Sequence, residues 1–237
     1  AGSDEYQAAW IAQEMKSIRL KTGTYSEMAV LYRANYLSRA LEKALMDERI
    51  PYIIYGGLRF FERQVVKDAL SYLRLIVVGD DLSLTRVLNR PKRGLGLKTV
   101  EMIAHRAREL NCSQFELLQK EELFKGKTQD TIRQFVQRVE RWRSLQQKGG
   151  LELFDFFELV MDESGYRAFL EAEKDTDNLG HLKSLMEDIR DFSRYHPEAS
   201  LEEYLQSVAL YGDKEELVEN DFVQLMTVHA SKGLEFD

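Results

Sequence analysis

Apolar positions recur along this chain at two spacings. In residues 5–20, EYQAAWIAQEMKSIRL, helical spacing puts Trp10, Ile11, Met15 and Ile18 on one face. MAVLY at 28–32 is an apolar run of strand length. From Asn35 to Arg49 the helical spacing returns through Leu37, Ala40, Leu41, Ala44 and Leu45, and Pro51 ends it. YIIY at 52–55 reads as a second strand, after which Gly56-Gly57 turns the chain. This strand–helix–strand order predicts a parallel sheet with covering helices over residues 1–57.

After Phe61 the pattern changes. Val65, Val66, Ala69, Leu70, Leu73 and Ile76 mark an amphipathic helix. Helical stretches follow near 82–89, 98–110, 113–120, 128–146, 151–162, 164–173, 177–195 and 200–211, with no strand pattern between 62 and 215. DFVQLMTV at 221–228 restores a strand. The expected fold is a partial α/β domain of parallel strands, interrupted by a large all-α insertion and predominantly helical overall. The helices lack the fixed period of a repeat array.

Composition narrows the class. With 44% hydrophobic residues in 237, the chain has material for a core. Three prolines leave long helices free to form. The lone Cys112 excludes an intrachain disulfide; it reads as a free buried thiol and fits a reducing, cytoplasmic setting. No apolar run reaches membrane-spanning length, so no membrane partner is expected. Ala1-Gly2-Ser3 resembles a cloning scar, and the chain reads as a piece of a longer protein. The formal net charge of -7 argues against general nucleic-acid affinity. Its distribution is uneven: between Arg86 and Arg108 seven basic residues face only Glu101.

Within that segment lies PKRGLGLKT, residues 91–99. It is not a P-loop, because Leu97 and Lys92 stand where that motif needs its two glycines. Gly94 and Gly96 remain, beside Arg90, Lys92, Arg93 and Lys98. Small glycines permit close backbone approach, and the helix start beyond them offers N–H groups to a phosphate. An ordinary helix–helix turn with solvated charges explains the spacing equally well. Arg33 and Asn35 in LYRAN follow a strand directly, where open α/β sheets bind ligands, although Asn35 also suits a helix cap. The last strand delivers Thr227, His229, Ser231 and Lys232 to the same kind of edge, with Gly233 allowing a turn. His105, His181 and His196 read as surface residues, and four histidines without a cysteine or acid cluster predict no metal site. Phe60-Phe61 and Phe156-Phe157 read as core, and the acidic run at 213–221 as a solvated loop.

Taken together, LYRAN…SRALE at 31–42, PYIIYGGLRFFERQVVKDALSYLRLI at 51–76, NRPKRGLG at 89–96 and VQLMTVHASKGLEF at 223–236 resemble the UvrD/PcrA/Rep type of superfamily 1 DNA helicases. The resemblance keeps its order over nearly the whole chain. It implies a fragment of an ATP-dependent 3′–5′ DNA helicase acting in repair or replication restart. Residues 1–61 would be the first part of the RecA-like domain 2A, 62–215 the helical 2B subdomain, and 216–237 the return to 2A, ending at motif V. By position, Arg33, Asn35, Thr227 and His229 would contact single-stranded DNA. Glu235 and Gly233 would contact the nucleotide, and Lys232 would couple nucleotide state to DNA grip. Lys92, Arg93, Gly94, Gly96 and Lys98 would hold the duplex. Leu95 stands where the family has isoleucine, and Val65 where it has an acidic residue. Walker A, Walker B and motif VI are absent from the chain, so ATP and Mg²⁺ belong to the parent protein and the piece alone is expected to be inactive and cofactor-free. DNA, as single strand and junction, is the expected partner, with repair proteins as further candidates. The rival reading is a helical interaction or autoregulatory module without DNA affinity of its own. A helicase–nuclease subunit ranks lower, because no nuclease carboxylate cluster is visible.

Overall fold

Each patterned segment folds as an element close to its expected bounds. The structure, a computed structural model, describes residues 4–212 and 221–232. Helix α1 (Asp4–Thr22) leads to β1 (Ala29–Tyr32), a 3₁₀ turn at Asn35–Leu37, α2 (Ser38–Asp47) and β2 (Tyr52–Ile54). The next strand, β3 (Val223–Thr227), lies between the first two, parallel to both, in the order β1-β3-β2. The register pairs Tyr32 with Thr227 and Ile54 with Leu225. Val223 and Leu225 are wholly buried and pack with Tyr32 and Tyr52 against Ala8, Ala12 and Met15 of α1 and Leu41 and Leu45 of α2. The apolar face of α1 is therefore shifted from the expected one: Met15 is buried and Ile11 packs against the core as expected, but the other two positions do not. Trp10 and Ile18 stay exposed, and the buried stripe is Ala8, Ala12 and Met15. Alanines let the helix axis come close to its neighbours, and close packing selects the face by shape.

Two compact units emerge. The first takes residues up to Val66, Thr176–Ser184 and residues from Ser207 on; the second takes Lys67–Asp175 and Leu185–Gln206. The helices after the 3₁₀ turn at Phe60–Glu62 are α3 (Gln64–Val77), α4 (Asp81–Val87), α5 (Leu97–Glu109), α6 (Gln114–Lys120), α7 (Gly126–Lys148), α8 (Leu153–Glu163), α9 (Tyr166–Glu173), α10 (Thr176–Tyr195) and α11 (Leu201–Gly212). Local chemistry marks their starts. Asp80 caps α4 by accepting from Ser83 N at 2.8 Å, and Ser113 and Glu116 form a reciprocal capping box on α6. The second unit's core holds Tyr72, Trp142 and Tyr166, with Tyr72 ring centroids 6.1 and 6.0 Å from the other two. Phe156 and Phe157 are buried, as expected of core residues. Cys112 is only half-buried, which corrects the expectation of a sealed thiol.

Residues Thr176–Ser184 of α10 join the sheet-bearing unit through contacts that no local pattern announces. Asp177 Oδ2 accepts from Asn35 Nδ2 at 3.3 Å, and Ser184 Oγ donates to the Tyr36 carbonyl at 3.2 Å. His181 is buried, against the surface position its helical context suggested, and its ring nitrogens lie 3.1 and 3.0 Å from Arg63 Nη1. Gly180 makes this packing possible: a Cβ there would stand 2.3 Å from Tyr36 Cδ1 and 2.6 Å from Cγ. Gly180→Ala should therefore destabilise the chain by about 1–3 kcal/mol through overpacking, although helix propensity alone predicts a gain of about 1 kcal/mol. The urea unfolding midpoint decides the sign, and a higher midpoint would refute the close-approach explanation.

Candidate nucleic-acid interface

The parallel register brings the ends of β1 and β3 together. Tyr32 faces Thr227, and Val228 N donates to the Tyr32 carbonyl at 2.9 Å, so the chain leaves both strands at one edge. Arg33 follows β1 there and is exposed; Asn35 is half-buried. Beyond β3 the chain turns back on itself. Thr227 Oγ1 accepts from Ala230 N at 3.1 Å, Ser231 N donates to the Thr227 carbonyl at 3.0 Å, and Ser231 Oγ donates to the Val228 carbonyl at 2.9 Å. A threonine hydroxyl that accepts here still carries a proton to donate. His229 and Lys232 are exposed on this turn. Gly233 and Glu235 lie outside the described residues. The edge has a third contributor that the sequence reading passed over. Tyr55 N donates to the Leu225 carbonyl at 2.8 Å, extending β2, and the Tyr55 side chain is 45% exposed. A Cβ on Gly56 would lie 3.6 Å from the Ala230 Cβ, and one on Gly57 4.0 Å from Asn35 Oδ1.

In the second unit, the loop between α4 and α5 carries the basic motif. Lys92, Gly94, Gly96 and Lys98 are exposed, whereas Leu95 is buried. Gly94 has φ +76°, and a Cβ on either glycine would meet nothing within 4 Å. Gly96 opens α5, with N–H groups of Thr99 and Val100 returning to its carbonyl. Most of the arginines nearby are committed to the protein. Asp68, 1% exposed, pairs with Arg86 Nη1 at 3.0 Å and Arg90 Nε at 2.7 Å and accepts from the Tyr166 hydroxyl at 3.0 Å. Arg106 pairs with Glu121 and Glu109, each at 3.2 Å. The Arg93 guanidinium, placed among the duplex contacts by the family resemblance, turns inward onto protein acceptors. Linear charge counting missed these partners because Asp68, Glu121 and Ser164 are remote in sequence from the residues they hold. Among the described residues, no group of three or more His, Cys, Asp or Glu is arranged to hold a metal ion, and no helix is long and apolar enough to cross a membrane.

Residues 1–237 match the family model described as the UvrD-like helicase C-terminal domain. The chain belongs to that family. It is 36% identical over 245 residues to an ATP-dependent DNA helicase PcrA of Staphylococcus epidermidis, covering 100% of this chain and 33% of that protein. A protein of the same description from Staphylococcus aureus is 34% identical over 243 residues, with the same coverage. The chain thus spans about a third of the length of the relatives it matches.

In this UvrD-like chain a buried polar network underlies the β1 edge. Arg63, 6% exposed, donates from Nη1 to the Asn35 carbonyl at 2.6 Å, from Nε to the Leu58 carbonyl at 3.1 Å, and from Nη2 to Ser38 Oγ at 2.9 Å. Ser38 Oγ in turn donates to Glu42 Oε1 at 2.6 Å. The Glu42 carboxylate also accepts from Phe60 N at 3.0 Å and the Tyr52 hydroxyl at 3.3 Å. Burial pushes the Glu42 carboxyl above the usual range; the Ser38 and Phe60 hydrogen bonds and the Arg63 charge oppose this without cancelling it. A raised folded value means that the fold favours the protonated acid. That contribution is complete below the unfolded value near 4.5 and is lost as pH rises through the folded one. Glu42→Gln cannot titrate. The stability advantage of the native chain over this variant should therefore shrink as pH rises from about 4.5 to 7.5, by about 1.4 kcal/mol per unit of elevation. Urea titrations at the two pH values test this, and an advantage that grows with pH would contradict it.

Proposed function

We propose that this chain supplies part of the DNA path of an ATP-dependent helicase, with the sheet edge as single-strand track and the α4–α5 loop as duplex contact. The observation that carries the reading is the parallel pairing of Tyr32 with Thr227, which ends β1 and β3 at one edge, with Arg33 and Asn35 following the one strand and His229 and Lys232 the other. Exposed Arg33 and Lys232 suit phosphates, and the Thr227 hydroxyl suits a phosphate or sugar oxygen. Such contacts hold a strand without reading its sequence, as a translocating motor requires. Relatives named ATP-dependent DNA helicase support the assignment. In this proposal residues 1–61 and 216–237 belong to motor domain 2A and 62–215 to subdomain 2B. The parent moves 3′ to 5′ in DNA repair or replication restart, in the cytoplasm. ATP and Mg²⁺ act in the parent, where Glu235 and Gly233 touch the nucleotide and Lys232 relays its state. A nucleotide site would draw mainly on residues outside this chain, so the isolated chain is expected to be inactive.

A second reading, a protein-docking module, gains support from the pairing of Arg86, Arg90 and Arg106 with carboxylates. Salt dependence separates the two. On a labelled blunt duplex, fluorescence anisotropy should give a log–log salt slope near −2, about −0.9 for each of Lys92 and Lys98, rather than the roughly −6 of seven unpaired cations. Lys92→Glu/Lys98→Glu should abolish this binding. A 3′ single-stranded tail should tighten it, and Arg33→Ala/His229→Ala should remove that gain. No binding to either DNA at the lowest workable salt would overturn the DNA reading in favour of the docking module.

A further inference from the structure

The loop from Leu88 to Gly96 is moulded from within by two side chains. Arg93 Nη1 donates to the carbonyls of Val87 at 2.8 Å, Leu88 at 3.1 Å and Pro91 at 3.3 Å. Its Nη2 donates to the Tyr72 hydroxyl at 2.9 Å and the Ser164 carbonyl at 3.1 Å. The same guanidinium sits 5.1 Å from the centroid of the Phe135 ring. Tyr72, itself buried, donates its hydroxyl to the Arg90 carbonyl, so the fork and the phenol grip both flanks of the loop. Asn89 works along the other side. Its Oδ1 accepts from Arg93 N at 2.7 Å and Leu95 N at 3.3 Å, and its Nδ2 donates to the Leu95 carbonyl at 2.6 Å. Leu95, 3% exposed, is the apolar anchor between Gly94 and Gly96. What is left outward is the glycine crest, with Lys92, Leu97 and Lys98 beside it.

We infer that Arg93 and Asn89 are positioning residues for the duplex contact: they hold the Gly94-Leu95-Gly96 crest in shape, while Lys92 and Lys98 supply the charge that meets phosphate. The inference rests on the duplex reading of this loop. Protein acceptors hold both Arg93 Nη1 and Nη2, so a phosphate could take these N–H groups only by displacing them. A planar five-donor fork does this bridging, and a lysine ammonium cannot reproduce it although it carries the same charge. Charge and shape therefore come apart experimentally at position 93.

The test uses the whole chain and a labelled blunt duplex, with anisotropy read across a salt titration for the native protein, Arg93→Lys, Arg93→Gln, Asn89→Ala and Lys92→Gln. Arg93→Lys and Asn89→Ala should each weaken binding about tenfold, the worth of one or two lost hydrogen bonds, with the native salt slope. Lys92→Gln should instead flatten the slope by about 0.9. Thermal melting accompanies each variant; should Arg93→Lys fail to fold, the half-buried and uncharged Asn89→Ala decides alone. Native-like binding by Asn89→Ala overturns the inference. So does native-like binding by Arg93→Lys together with a slope flattened by about 0.9 in Arg93→Gln, which would make Arg93 a phosphate ligand. Either result leaves the duplex reading standing, whereas a native chain that binds no duplex removes that reading and this inference together.

Discussion

The pairing of β3 with strands on both sides is the constraint on which the sheet-bearing unit depends. β1 and β2 do not touch as neighbours; β3 separates them and bonds to each. Between Ile54 and Val223 the chain makes an excursion through the second unit, so this pairing closes a very long loop. Closure entropy grows only logarithmically with length, which makes a large helical insertion thermodynamically tolerable. The consequence for function is direct. Residues separated by almost the whole chain, Arg33 and His229, leave neighbouring strands at the same edge.

Buried polar groups then set the shape of what the sheet offers. Arg63 ties the Asn35 carbonyl to Ser38, and Ser38 leads to Glu42, which holds Phe60 N and Tyr52. Desolvating such groups is costly unless every partner is in place. A network that is satisfied only in one arrangement resists sliding of the β1 edge. Asp177 and His181 of α10 belong to the same arrangement, so a helix far along the sequence helps to define the loop that carries Asn35.

Electrostatics in the second unit follow the same logic. The basic run from Arg86 to Arg108 looks like a cationic patch when read linearly. In three dimensions a single nearly inaccessible carboxylate, Asp68, engages Arg86 and Arg90, and Glu121 engages Arg106. Arginine suits this internal work, since its planar fork bridges several acceptors at once. The lysines, flexible and strongly hydrated, remain outside at Lys92 and Lys98. Division of labour between the two cation types converts a nominally strong patch into a small, shaped one.

By itself the sequence determined the elements: helical and strand periodicities, capping residues such as Asp80 and Ser113, and the glycines of the α4–α5 loop are all local signals with local causes. It also carried the ordered motifs of a UvrD-like helicase domain, and hence the candidate residues at the sheet edge. Tertiary structure alone decided which face of α1 is buried, because Ala8 and Ala12 win by fitting closely where Trp10 does not. It decided that His181 is interior, that Tyr55 belongs to the edge, and that Arg93 spends its charge inside the protein. Periodicity reports how a segment relates to its own axis; it holds no information on which remote partner satisfies a charge, and that is settled only when the chain closes on itself.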